Sequence, residues 1–134
     1  MNLNLIGILE DGSPPVLGQQ PLDPRTTIRW TRGENVTINL TVKNTAGQEV
    51  SLAQPGPPPA DQTSLLLTVK KRPQDSKVFD KTGTLGVFTI TPADTKNMEP
   101  GRYVFDIWLT KGGKRDPVVP LSTLLLEPSS APVP

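Results

Sequence analysis

The chain has 134 residues, enough for one ordinary domain, with 14 basic and 13 acidic side chains, no histidine and no cysteine. Without imidazole or thiol it has no Ser-His or Cys-His nucleophile, no thiolate or imidazole zinc ligand, no disulfide and no thiol redox chemistry. A net charge of +1 offers no field to gather nucleic acid or an anionic membrane, and no apolar run approaches the roughly 20 residues that span a bilayer, so neither partner is expected.

Taken in chain order, residues 2–9 have the composition of an edge strand, and the absence of Lys or Arg there gives no reason to expect export by the general secretory pathway. Residues 11–24 hold Pro14, Pro15, Pro21 and Pro24 and read as an extended arm poor in backbone donors. A strand is expected over 26–31, carrying Ile28 and Trp30. The clearest strand covers 35–43, where Val36, Ile38, Leu40 and Val42 alternate with Thr37, Asn39, Thr41 and Lys43. Ala46-Gly47 within 44–48 is placed as a hairpin connection.

Residues 54–62 contain Pro55, Pro57, Pro58 and Pro59, an insertion stiffened toward polyproline II. Further strands are expected over 64–70, with Leu65, Leu67 and Val69 in phase, over 77–79 and over 85–90. The one helical segment is 91–98, with Thr91 as cap and Pro92 at the first position, stopped by Pro100-Gly101. A strong strand follows over 102–110. Its Tyr103, Phe105, Ile107 and Leu109 should enter the core, while Val104, Asp106, Trp108 and Thr110 face outward. Gly112-Gly113 marks a turn, 118–126 a last strand, and Pro128, Pro132 and Pro134 a tail that leaves the domain.

With 16 prolines and 11 glycines punctuating short alternating runs, the expected fold class is an all-β antiparallel sandwich of seven to eight strands. Its division is an arm over 1–24, a sandwich over 25–127 and a proline-rich tail over 128–134.

Specific stretches then carry a resemblance. They are Arg32-Gly33-Glu34; the run from Thr41 through Lys43-Asn44-Thr45-Ala46-Gly47-Gln48 to Leu52; Gly86 through Thr91-Pro92-Ala93-Asp94-Thr95; Pro100-Gly101-Arg102-Tyr103; and Gly112-Gly113-Lys114. Over residues 25–128 the chain resembles the immunoglobulin-like N-terminal domain of the baseplate upper protein family of tailed bacteriophages. The resemblance implies an immunoglobulin-like sandwich. In physical terms, Asp94 and Thr95 would bond local backbone, Gly101 would permit a tight reversal, and Tyr103 would bury its ring with the hydroxyl bonded, as in a tyrosine corner. The insertion at Pro57, Pro58 and Pro59 and the first 24 residues depart from the family pattern.

Competing chemistries are weaker. Asn35-Val36-Thr37 and Asn39-Leu40-Thr41 match the glycosylation acceptor pattern but read as outward polar strand positions, and no calcium-loop spacing surrounds Glu10, Asp11 or Asp61. The basic clusters at 70–72 and 111–115 read as solvated hairpin tips. Asp94, Glu99 and Asp106 are the one carboxylate group compatible with His-free glycoside hydrolysis, yet Asp94 has a turn role and Asp106 faces outward, so no enzymatic activity, metal or cofactor is expected.

The residues singled out for contact are Trp108, Pro57, Pro58, Pro59, Pro128 and Pro132. An outward Trp is costly to leave wet; either a neighbouring protein or a proline-rich segment of the same chain should cover Trp108. The resemblance implies a structural protein of a phage particle, contacting other virion proteins in several copies. The alternative is a module that binds host-surface carbohydrate.

Overall fold

The computed structural model describes residues 1–10, 25–50, 52, 63–111 and 114–128. The proline-rich arm over 11–24, the insertion with Pro57, Pro58 and Pro59, the Gly112-Gly113 turn and the tail including Pro132 lie outside the described residues. The elements are β1 (Asn2–Leu9), β2 (Thr27–Thr31), β3 (Val36–Asn44), β4 (Thr63–Lys70), β5 (Lys77–Gly83), β6 (Val87–Ile90), α1 (Pro92–Thr95), β7 (Gly101–Lys111) and β8 (Lys114–Glu127).

Period-two patterning sorts these strands into two sheets, ordered β1-β3-β6 and β2-β8-β7-β4-β5. In β3, Val36, Ile38, Leu40 and Val42 are buried, and in β7 so are Tyr103, Phe105, Ile107 and Leu109. With Leu65, Leu67 and Val69 of β4, Phe88 and Ile90 of β6, and Ile28 and Trp30 of β2, they form one continuous core between the sheets. The fold is an all-β sandwich. It is not antiparallel throughout: β1 runs parallel to β3, and β2 parallel to β8. Each of those pairs joins strands remote in sequence, so no hairpin dictates their direction.

Three boundaries differ from the local sequence pattern. β5 extends to Gly83 because it pairs with β4 from Lys70↔Lys77 to Leu65↔Gly83, a ladder that holds polar residues no apolar run would mark. β6 begins only at Val87 because Leu85 (φ 52°) and Gly86 (φ 83°) form a left-handed turn. A Cβ on Gly86 would lie 2.5 Å from the Leu40 carbonyl oxygen, and the Gly86 carbonyl accepts the Leu40 N–H at 2.7 Å. Only glycine combines that conformation with that approach. β8 reaches back to Lys114 through Pro117 and Pro120; the ladder shifts register between Phe105 and Ile107 and again between Ile107 and Trp108, which accommodates the missing donors.

The helical segment is one turn, Pro92–Thr95, within the expected 91–98 stretch. The β3 strand ends in a turn where Asn44 Oδ1 accepts the N–H groups of Ala46 (3.0 Å) and Gln48 (2.9 Å), and the return is a single bridge, Lys43↔Glu49. Near this same end β1 leans on β8: Gly7 pairs with Val42, and the place of a Cβ on Gly7 is 3.1 Å from Val118 Cβ, so a bare backbone lets the sheets meet there.

Candidate docking surface

The outer face of the five-stranded sheet carries the one contact residue singled out from the sequence that lies mid-strand in the described chain. Trp108 projects from β7 opposite to the buried Ile107 and Leu109, and it is half-buried. Cross-strand register places Leu66 of β4 on one side of it and Pro117 of β8 on the other. The Arg115 guanidinium lies 4.6 Å from the centroid of the ring. Leu121, 45% exposed, continues the apolar character along β8.

The arrangement is an aromatic plate bordered by two apolar side chains and capped by a delocalised cation. Indole and guanidinium together offer large, weakly hydrated area, with the arginine already placed over the ring, the composition that protein contact sites favour. A row of this kind can bury against another protein at modest entropic cost.

Pro128 is exposed just after β8, but it does not join this surface. Trp108 pairs opposite Pro117 and Gly101 opposite Leu126, with Pro128 two residues further on, so Trp108 and Pro128 lie toward opposite ends of the β7–β8 ladder, about 30 Å apart by strand rise. Arg115 is exposed beside the β7–β8 tip, as expected of a solvated tip charge, and it also covers Trp108. The register of a β7–β8 hairpin closing at Lys111↔Lys114 puts Arg115 opposite Thr110, two pairs from Trp108 and so on the same face, and that register was the signal available for it.

The carboxylates considered for catalysis do not converge. Asp94 accepts from the Thr91 N–H (2.7 Å) and hydroxyl (3.0 Å) and pairs with Lys81 Nζ at 2.9 Å, whereas Asp106 lies on the outer face of β7. Burial alone pushes the Asp94 carboxyl up, but the Thr91 N–H, the Lys81 ammonium and the Thr91 hydroxyl outweigh it and hold the group below the ordinary aspartate value. Among the described residues no group of three or more His, Cys, Asp or Glu side chains is placed to hold a metal ion. Near the β7–β8 tip, Leu9, Glu10, Leu109, Lys111, Lys114 and Asp116 line an open hollow of about 190 Å³. It is smaller than the roughly 300 Å³ at which ligand pockets begin, and its two acids balance its two lysines.

Of the residues that carried the family resemblance, those around Gly33, Asp94, Thr95 and Tyr103 lie at one end of the sandwich, whereas Asn44 lies at the other. Tyr103 is buried, its hydroxyl donates to the Glu99 carbonyl at 2.7 Å, and Lys71 Nζ stands 4.5 Å from its ring centroid. Asp94 bonds local backbone as expected. Thr95 does not: its Oγ1 accepts the N–H of Gly33 at 3.0 Å, and Arg32 reaches the Met98 carbonyl at 3.4 Å, so the turn between β2 and β3 is tied to α1.

Fold and surface together define a β-sandwich with an aromatic patch on one outer face. No protein-family model matches the chain, and the comparison with curated proteins gives no match. Among solved structures it is similar to the N-terminal domain of phage TP901-1 ORF48, with 12% sequence identity and a TM-score of 0.43, over 95% of this chain and 99% of that one.

Proposed function

We propose that the chain is a structural protein of a tailed-phage particle, a rigid immunoglobulin-like block that joins neighbouring virion proteins, in several copies, through contacts made by its outer sheet face. The reading is supported by the family resemblance of the motifs around Gly33, Asn44, Asp94 and Tyr103, and by the tyrosine corner that Tyr103 makes with Glu99. The observation that carries the mechanism is Trp108 with Leu66, Pro117 and Arg115 on an outer sheet face. Replication in many copies raises the effective strength of a contact that is weak singly. On this reading no substrate is turned over, and host glycan binding is the lesser alternative because the hollow near Lys111 is small and charge-balanced.

The test is incorporation. Particles assembled with the wild-type chain should contain it by mass spectrometry, and particles assembled with Trp108→Ala should contain markedly less while the purified variant keeps its fold. Absence of the wild-type chain from particles, or specific capture of the isolated chain on a glycan array, overturns the reading.

A further inference from the structure

The sheets differ in how their edges are protected. β2 is five residues long and carries Arg29; β5 carries Lys77, Asp80 and Lys81; β6 has only four residues. Short length and charge are the usual devices that keep edges from pairing with other chains. β1 has neither. Its eight residues, Asn-Leu-Asn-Leu-Ile-Gly-Ile-Leu, include no charged side chain and no proline, and among the described residues only β3 pairs with it.

The parallel ladder fixes which main-chain groups of β1 are open. The Met1 carbonyl accepts the Thr37 N–H, so the odd-numbered residues bond β3 and the even-numbered ones turn their N–H and C=O away from it. Asn2, Asn4, Ile6 and Ile8 thus each direct one donor and one acceptor at the open edge. Ile6 is 43% exposed on the outer face, and Leu3 and Leu9 are only partly buried on the inner one.

We propose that this edge pairs with the same edge of a second copy of this chain, antiparallel about a two-fold axis through Leu5. That register sets Asn2 opposite Ile8 and Asn4 opposite Ile6 of the second copy, which engages all four open residues as hydrogen-bonded pairs and leaves Leu5 facing its own counterpart. It joins the two three-stranded sheets into one and covers Ile6 and the inner leucines at the seam. The occupant follows from electrostatics: a two-fold brings like sequence against like, so a charged edge would oppose itself, and β1 holds no charge either to repel its copy or to select a charged stranger. The inference stands independently of the virion reading and uses a different surface from Trp108.

Sedimentation equilibrium of the full chain, with the mass read against concentration, tests it. Wild type should show twice the monomer mass by about 100 μM, a concentration at which even a weak specific pair is populated. Ile6→Pro removes a donor aimed at the open edge and none that serves β3, so it should keep the wild-type circular dichroism yet sediment as a monomer. Because the chain has no native cysteine, the double variant Asn4→Cys with Ile6→Cys, both outward-facing, should convert to a covalent dimer on oxidation. A wild-type monomer at all concentrations overturns the proposal. So does a dimer that persists in folded Ile6→Pro while the cysteine pair fails to cross-link.

Discussion

Gly33 donates its backbone N–H to Oγ1 of Thr95 at 3.0 Å, a bond between residues 62 positions apart that fastens the turn leaving β2 to the helical turn preceding β7. Thr95 is fully buried, so this hydroxyl has no water to replace the bond. Thr95→Val keeps the shape and removes the acceptor, and should cost about 1–3 kcal/mol because the Gly33 N–H loses its partner. Thr95→Ser keeps the bond and should cost less. Urea unfolding of both variants gives the comparison; a loss for Thr95→Ser as large as that for Thr95→Val would mean that the methyl group matters as much as the hydrogen bond.

Tyr103 is the second fastener at this end. Burial first, and then the nearby Glu99 carboxylate, push its phenol up, so it stays a neutral donor to the Glu99 carbonyl. Tyr103→Phe preserves the ring under Lys71 and deletes only that bond. The expected loss is about 1 kcal/mol, read as a shift in the urea midpoint with the slope unchanged.

Much of this architecture is written locally. The alternation in β3 and β7 names the core-facing residues because side-chain direction follows directly from strand periodicity. Thr91-Pro92 marks the helical turn for the same reason, since cap and first-turn preferences act over neighbouring residues. What the chain order conceals is pairing between distant strands. Nothing in residues 2–9 indicates that they lie parallel to β3, and nothing near Thr95 indicates Gly33 as its donor. Trp108 was legible as outward by parity. Its neighbours Leu66 and Pro117 were not, because they belong to strands whose register the ladder decides.

Asp94 makes stability depend on acid pH. Its folded carboxyl lies below the ordinary aspartate value, so its ionised contacts stabilise the fold above the unfolded-chain value, and that contribution fades as pH falls through the folded one. Asp94→Ala removes the bonds to Thr91 and the pair with Lys81, and should cost about 1–2 kcal/mol at neutral pH. The gap between wild type and variant should stay constant from neutrality downward and narrow only below about pH 4. Urea titrations at a series of pH values measure it; a gap that is unchanged at the acid end would show that charge on Asp94 contributes little.

Gly86 tests the turn between β5 and β6. Alanine there meets both a left-handed backbone and the Leu40 carbonyl oxygen, a main-chain atom that cannot swing aside. Gly86→Ala should therefore destabilise by about 2 kcal/mol or more, beyond the usual cost of a positive φ alone. Thermal unfolding followed by circular dichroism reads the loss, and a variant within a degree or two of wild type would mean the turn relaxes without strain.

The two tryptophans offer a direct readout of the proposed docking face. Trp30 is 2% exposed within the core, whereas Trp108 is half-buried beneath Arg115, so a quencher in solution should distinguish them. Acrylamide titration of wild-type fluorescence should resolve one accessible and one protected population. Arg115→Ala strips the guanidinium from the ring, and because an exposed cation–π contact contributes only about 0.5–1 kcal/mol, stability should barely change. Quenching of the accessible population should nevertheless rise, since the cover is lost while the fold is kept. If Arg115→Ala leaves quenching untouched, the guanidinium does not cover Trp108 in solution, and the patch presents a bare indole to any protein that docks there.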